Sequence, residues 1–256
     1  MKHPRDRFLT IYGRKPVLEA LQTGGLTFGR LLVAQSARGE IVGRILKAAQ
    51  RHGVRIERCN VSYVSRISRN AKQDQGVCLD VEPVNMTTVD EWLTRQKASS
   101  QCVLLDGVTT PANMGMLIRS AVASGINGII IPRHGSPEVS PLVIKASAGT
   151  AFSAPIVRAS TPLDAVEALV RAGYTVFGLR GDIGNSLYEI ELPERAVWVL
   201  GNESAGVSQA VAEATSQWAS IPMSPQAESL NVACAGTVVM FELQRRQMAK
   251  LAPIGA

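Results

Sequence analysis

The chain has 256 residues, enough for one large domain or two modest ones, and is 46% hydrophobic and 19% charged with a mean hydropathy of +0.09. That composition excludes disorder, collagen and coiled coil, and no apolar run reaches the ~18 residues of a membrane span. The net charge of +6 is unevenly held: Lys+Arg against Asp+Glu run 17 to 9 over residues 1–100 and 10 to 12 over 101–256, so the front is +8 and the back −2, as expected of a polyanion-binding front.

The opening Met1–Arg7 is charged and leads into no signal-type apolar stretch, so the expected address is the cytoplasm. Tyr12-Gly-Arg-Lys-Pro-Val-Leu-Glu-Ala-Leu opens a short helix with Pro16 in its first turn. Gly29 to Gln35 reads as a buried strand, and Ile41 to His52 has apolar residues at helical spacing. Val54 to Cys59 and Val77 to Val81 are two more strands. Glu82 to Ser100 changes character, with Pro83, Asn85 and the polar run Thr94–Gln101, and is the expected linker, holding at most a short helix around Trp92. The expected units are 1–82, the linker 83–101, and 102–256.

Beyond the linker, strands at Cys102–Leu105, Gly128–Ile131, Thr175–Leu179, Ala196–Leu200 and Trp218–Ile221 alternate with helices. The helices are expected at Asn113–Ser124, Pro141–Ala148, Pro162–Ala172, Val207–Thr215 and Leu230–Met248. Such alternation predicts an α/β fold with a mostly parallel sheet covered on both faces. The four cysteines, Cys59, Cys78, Cys102 and Cys234, form no Cys-x-x-Cys pair and do not cluster with histidine, so neither a disulfide framework nor a metal site is expected.

In an open parallel sheet ligands sit beyond the carboxyl ends of the strands. Three loops there are rich in Gly, Asn, Ser and Pro: Asp106–Arg119, Leu200-Gly-Asn-Glu-Ser-Ala-Gly206, and Ile221-Pro-Met-Ser-Pro-Gln-Ala-Glu-Ser-Leu-Asn231. No G-x-G-x-x-G, Walker loop, H-E-x-x-H or G-x-S-x-G is present, which removes the standard dinucleotide, NTPase and hydrolase readings.

Taken together, Asn113-x-Gly115-x-x-x-Arg119-x-Ala121, Gly201-Asn-Glu203-x-x-Gly206 and Ile221-Pro-Met with Glu228-Ser-Leu-Asn231-Val-Ala resemble the three motifs of the SpoU-type (TrmH-like) branch of the SPOUT RNA methyltransferases. The front, through Tyr12-Gly-Arg-x-x-Val17-x-Glu19-Ala20 and Asp74-Gln-Gly-Val77, resembles the L30e-like RNA-binding domain of many members. Two positions depart from the pattern: Thr110 precedes Pro111 where many members have Asp, and Asp74 stands where His is frequent.

The resemblance implies S-adenosylmethionine-dependent methylation of a ribose 2′-hydroxyl, a trefoil knot in the catalytic part, and a homodimer acting on structured RNA without a metal. Leu200, Gly201, Ile221, Met223 and Leu230 are the implied cofactor contacts. Asn113, Arg119, Glu203, Ser229 and Asn231 are the implied catalytic positions, with Glu203 expected to pair with Arg119. A guanidinium with a pKa above ~12 is a poor base, so Arg119 is read as clamping an RNA phosphate and orienting the hydroxyl. Asn113 and Ser229 each have a second reading as helix N-caps. Members with an L30e-like front act mostly on ribosomal RNA; the resemblance implies a guanosine of the large-subunit RNA as the target, the common one in the most similar group, with an adenosine the target in the antibiotic-resistance branch of the same layout. The rivals are a tRNA 2′-O-methyltransferase and an RNA-binding ribosome-assembly factor without turnover. In the front, Arg38, Arg44, Lys47, Arg51, Arg55, Arg58, Arg66, Arg69 and Lys72 are opposed only by Glu40 and Glu57 between positions 38 and 72, a patch suited to phosphate.

Overall fold

A computed structural model of the chain describes residues 7–181 and 185–251; the charged opening run lies outside them up to residue 6. The front holds a four-stranded sheet of β1 (Leu9–Tyr12), β2 (Thr27–Ala34), β3 (Arg55–Cys59) and β4 (Val77–Glu82) in the order β1-β4-β2-β3. β2 and β3 are parallel and the other pairs antiparallel. Helices α1 (Arg14–Gln22), α2 (Glu40–Arg51) and α3 (Val61–Ser68) flank it. Their apolar stripes (Val17 and Leu21; Val42, Ile45 and Ala49; Val64) close a core with Leu31, Val33, Val77 and Leu79. Strand β1 and helix α3 were not expected from the sequence.

The expected linker is itself folded. Thr87–Thr88 form β5, paired in parallel with β8 (Ile156–Ala159), and Thr88 caps α4 (Val89–Leu93) through a reciprocal bond pattern with Glu91, an arrangement that satisfies two orphan donors at once. Trp92 of α4 is buried and donates to the Asn127 carbonyl at 3.0 Å.

The back sheet has seven strands in the order β11-β9-β10-β6-β7-β8-β5, with every pair parallel. Its remaining strands are β6 (Ser100–Leu105), β7 (Gly128–Pro132), β9 (Thr175–Leu179), β10 (Arg195–Leu200) and β11 (Gln217–Ala219). Strand residues alternate between two apolar layers. Val103, Leu105, Ile129, Ile131, Trp198 and Leu200 pack under α5 (Pro111–Ser124), α6 (Pro141–Ala146) and α9 (Val232–Leu251). Cys102, Leu104, Ile130, Val176, Val197 and Val199 pack under α4, α7 (Pro162–Arg171) and α8 (Gln209–Glu213). Near-continuous apolar strands are what burial on both faces demands. Gly115 lets α5 and α6 touch, since a Cβ there would stand 2.4 Å from the Ala146 Cβ and 2.7 Å from the Val143 carbonyl. No described helix is long and apolar enough to cross a membrane.

Helix α9 is tied to the segment after β9 by one buried carboxylate. Glu242 accepts Arg245 Nε at 2.7 Å and Arg246 Nε at 2.6 Å, while Arg246 Nη1 and Nη2 reach the Ile190 and Leu187 carbonyls at 2.7 and 2.6 Å. The two guanidinium groups, Arg245 foremost, hold the Glu242 carboxyl down to about 2. A carboxylate depressed in the folded chain stabilises it fully above the unfolded pKa, near 4.5, and that contribution is lost as pH falls through the folded value. Glu242→Gln should therefore cost about 2–3 kcal/mol at pH 7, a gap to wild type that urea melts should find narrowing as pH drops from about 4.5 toward about 2. A pH-independent gap contradicts the clamp.

Candidate active site

Strand β6 leads to β7 and β8 on one side of the sheet, while β10 lies on its other side. The order reverses there, and a crevice opens at the carboxyl ends of β6 and β10, where doubly wound sheets place their ligands. The loops leaving those two strands are fastened to each other. Asp106, only 4% exposed, accepts the Ser208 amide at 2.6 Å, and Asn202 Nδ2 donates to the Gly107 carbonyl at 2.8 Å. Asn202 Oδ1 also accepts the Ser204 and Ala205 amides, and Asn202 and Gly206 exchange backbone bonds of 2.8 and 2.9 Å, closing a tight turn. Neither Asp106 nor Asn202 was singled out from the sequence. Asp106 opens the first of the three loops and Asn202 stands inside the Gly201-Asn-Glu203 motif, but nothing in the sequence points to the partners they take.

Gly201 sits under that turn. A Cβ at Gly201 would lie 2.4 Å from the Gly206 carbonyl carbon and 2.5 Å from the Val207 nitrogen, a clash with backbone that no side-chain rotation relieves. The turn, the Ile221–Leu230 loop and the start of α9 wall a cavity of about 200 Å³. Leu200, Gly201, Ile221, Met223 and Leu230 all line it, as do Ser229, Glu203, Arg180 and Glu228. The Arg180 guanidinium lies over the Trp218 ring, 5.4 Å from its centroid.

At the edge of this cavity three predicted residues from three separate motifs meet. Asn113 Nδ2 donates to Glu203 Oε1, and Asn231 Nδ2 donates to the same oxygen at 2.9 Å and to Asn113 Oδ1 at 3.3 Å. Both amides thus converge on Oε1, and Glu203 Oε2 has no hydrogen-bond partner among the described residues. Asn113 is buried in the first turn of α5, behind the N-cap position Thr110, so its side chain bonds across the site and does not cap. Ser229 likewise caps no helix among the described residues. Asn231 takes that role for α9, its Oδ1 accepting the Ala233 amide at 2.9 Å.

The expected Glu203–Arg119 pair does not form. Glu203 is taken by the two asparagines, and Arg119, six residues along α5 from Asn113, is exposed with no hydrogen bond or ion pair among the described residues. The physical reason lies in position: Asn113 faces the β10 loop from the first turn of α5, whereas Arg119 is on the solvent side, where a charge keeps its hydration.

Residues 100–241 match the model of the SpoU rRNA Methylase family, and residues 10–87 match that of the RNA 2'-O ribose methyltransferase substrate-binding module. The chain is 32% identical over 247 residues to an uncharacterized tRNA/rRNA methyltransferase of Mycobacterium leprae, covering 94% of this chain and 79% of that one. Among solved structures it is similar to the SpoU methyltransferase AviRb from Streptomyces viridochromogenes in complex with AdoMet, with TM-score 0.62, 25% identity, and 96% and 92% of the two chains covered. It is also similar to an rRNA methyltransferase from Sinorhizobium meliloti, with TM-score 0.62, 26% identity, and 95% and 88% covered. The three motifs meeting at one site and a family match running from β6 through β11 lead to one conclusion: the chain belongs to the SpoU rRNA methylase family and is an RNA methyltransferase.

Proposed function

We propose that the protein is an S-adenosylmethionine-dependent 2′-O-ribose methyltransferase of structured RNA, with a guanosine of large-subunit ribosomal RNA as its target. The observation that carries this reading is the meeting of Asn113, Glu203 and Asn231 at the edge of a cavity walled by Leu200, Gly201, Ile221, Met223 and Leu230. The substrate-binding match over residues 10–87 supports an RNA target, and the rRNA methyltransferase named among similar structures favours ribosomal RNA over tRNA. The +8 front and −2 back support a division into an RNA-binding unit, 1–82, and a catalytic unit, 102–256, with segment 83–101 folded onto the catalytic unit through β5 and α4. The cytoplasm, where that RNA is made and assembled, is the proposed address.

The cavity fits the cofactor in character. Apolar side chains suit an adenine ring, and the bare backbone at Gly201 admits close approach. Arg180 and Glu228 offer opposite charges at the rim for the carboxylate and ammonium of an amino-acid end. When bound, S-adenosylmethionine supplies an electrophilic sulfonium methyl group. The chain's own residues then align the nucleophile, a contribution worth several kcal/mol. Arg119, unpartnered and exposed, grips the phosphate beside the target ribose, and Glu203 Oε2 accepts the hydrogen of the 2′-hydroxyl. The two asparagines hold the Glu203 carboxylate in place through Oε1. The family's trefoil knot, proposed for the catalytic unit, is supported by the bonds that fasten the loops after β6 and β10 to each other and by the meeting of Asn113, Glu203 and Asn231. A homodimer is supported by exposed Met116 and Phe241 on the packed helices α5 and α9.

Calorimetry with S-adenosylmethionine, followed by alkaline digestion of RNA methylated in vitro, tests the reading. A ribose methyl protects the adjoining phosphodiester and a base methyl does not; failure to bind the cofactor favours the assembly-factor rival. Arg119→Lys keeps the charge and loses the bidentate fork, so it should lower kcat about 10–100-fold in single-turnover assays. Near-full turnover contradicts the phosphate clamp.

A further inference from the structure

The basic residues of the front are not spread evenly over one face. Arg55 is paired with Glu57 at 3.0 Å, Arg69 with Glu138 at 3.6 Å, and Arg30 with Asp80 at 3.1 Å. Two others, Arg58 and Arg66, meet at the carboxyl ends of β2 and β3, the one parallel pair of this sheet, where they line a cup of about 580 Å³ with Gln35, Asn60, Ser62 and Tyr63. The Arg66 guanidinium lies over the Tyr63 ring, 4.9 Å from its centroid. Arg58 Nη1 reaches the Ala34 carbonyl at 3.4 Å, and Arg38 donates to the carbonyls of Gln35 and, at 3.0 Å, Ala37, which fixes the rim.

No carboxylate lines the cup. Glu57 is held by Arg30 and Arg55, and Asp74 accepts Ser65 Oγ and Ser68 Oγ, both at 2.9 Å, and the Gly76 amide at 2.8 Å. Two guanidinium groups lining one cup with no acid beside them favour an anion there. A stacked Arg–Tyr platform beside them is the arrangement that receives an unpaired base, and Asn60, Ser62 and Gln35 add donors and acceptors for its edge.

We propose that this cup seats one unstacked nucleotide of single-stranded RNA, its base on the Arg66–Tyr63 platform and its phosphate on Arg58. The inference rests on reading the chain as an RNA-acting enzyme and deepens it: the front recognises a splayed nucleotide in a loop or bulge, in addition to any backbone contact.

The test is fluorescence anisotropy of a labelled 12-mer oligouridylate between 50 and 200 mM KCl. Arg58→Gln with Arg66→Gln, both exposed positions, should weaken binding at least 10-fold and flatten the salt slope by about 0.7, the value for the one phosphate contact, on Arg58, that a single strand loses. Tyr63→Ala should weaken it about 5–50-fold with little change in slope, Tyr63→Phe should bind like wild type, and Arg66→Lys should keep the slope while losing affinity. S-adenosylmethionine affinity should be unchanged throughout. Wild-type affinity in the double variant, or an equal loss in an Arg44→Gln, Arg51→Gln control on α2, overturns the cup. A wild-type chain that methylates RNA while the cup variants bind normally sinks the cup alone. One that binds the oligonucleotide through the cup without methylating any RNA sustains the cup and sinks the enzymatic reading.

Discussion

Glu203→Gln should lower kcat by about 10²–10⁴-fold, the usual range for removing a proton acceptor from the transition state, while S-adenosylmethionine affinity stays within a few-fold. The substitution is nearly isosteric. A glutamine oxygen can still take the two amide bonds that Asn113 and Asn231 direct at Oε1, so the loops remain tied. What disappears is the second oxygen, replaced by an NH₂ group that donates where an acceptor is needed. Loss confined to kcat marks an interaction made only in the transition state. Single-turnover rates with saturating RNA, beside calorimetry, separate the two quantities. Wild-type kcat in the Glu203→Gln enzyme would show that Oε2 does nothing in catalysis, and a collapse of cofactor binding would reassign Glu203 to holding the pocket.

Gly201→Ala should reduce S-adenosylmethionine affinity at least 100-fold and destabilise the fold by about 2–3 kcal/mol, the cost of forcing one extra carbon into packed backbone. The added methyl meets the Gly206 carbonyl carbon at 2.4 Å, so the turn from Asn202 to Gly206 must lift. Its bonds to Gly107 through Asn202, and the nearby Asp106–Ser208 bond, are the contacts it strains. For a chain of this size the loss corresponds to a fall in Tm of about 4–12 °C. A Cβ at Gly206, by contrast, would meet no atom within 4 Å; Gly206→Ala is strained only by its φ of +71° and should be the milder of the two. Differential scanning calorimetry with and without cofactor makes the comparison. Equal effects at the two positions contradict the account of a turn closed over Gly201.

Strands buried on both faces announce themselves as short apolar runs, and β6, β7, β9 and β10 were legible to within two residues for that reason. Strand β8 was not: Ile156-Val-Arg-Ala159 carries a buried arginine in mid-strand, which breaks the apolar signal. Two-residue β5 is too short to leave any pattern. Strand β1 was hidden because Tyr12-Gly13 reads as a helix start, and the four residues before Gly13 pair with β4, far along the chain. Helix α3 is short and serine-rich, with Val64 its one fully buried apolar anchor.

The site divided in the same way. Its loops were legible because Gly, Asn and Pro are required where backbone approaches a ligand, and the positions converge in space. The partner of Glu203 was not. Opposite charge points to Arg119, whereas the observed bonds run from two uncharged amides 90 and 28 residues away, a pairing that no local pattern encodes. Asp74 shows the converse: an atypical residue in its motif proves to be a buried carboxylate that organises the loop through three hydrogen bonds.

The central claim is methylation of a ribose 2′-hydroxyl at one site in RNA. It is tested most directly by mapping alkali-resistant positions in total RNA from a strain lacking the gene beside its parent. The account predicts the loss of a single protected linkage, in large-subunit ribosomal RNA, restored by the wild-type gene and not by the Glu203→Gln allele. An unchanged map contradicts it.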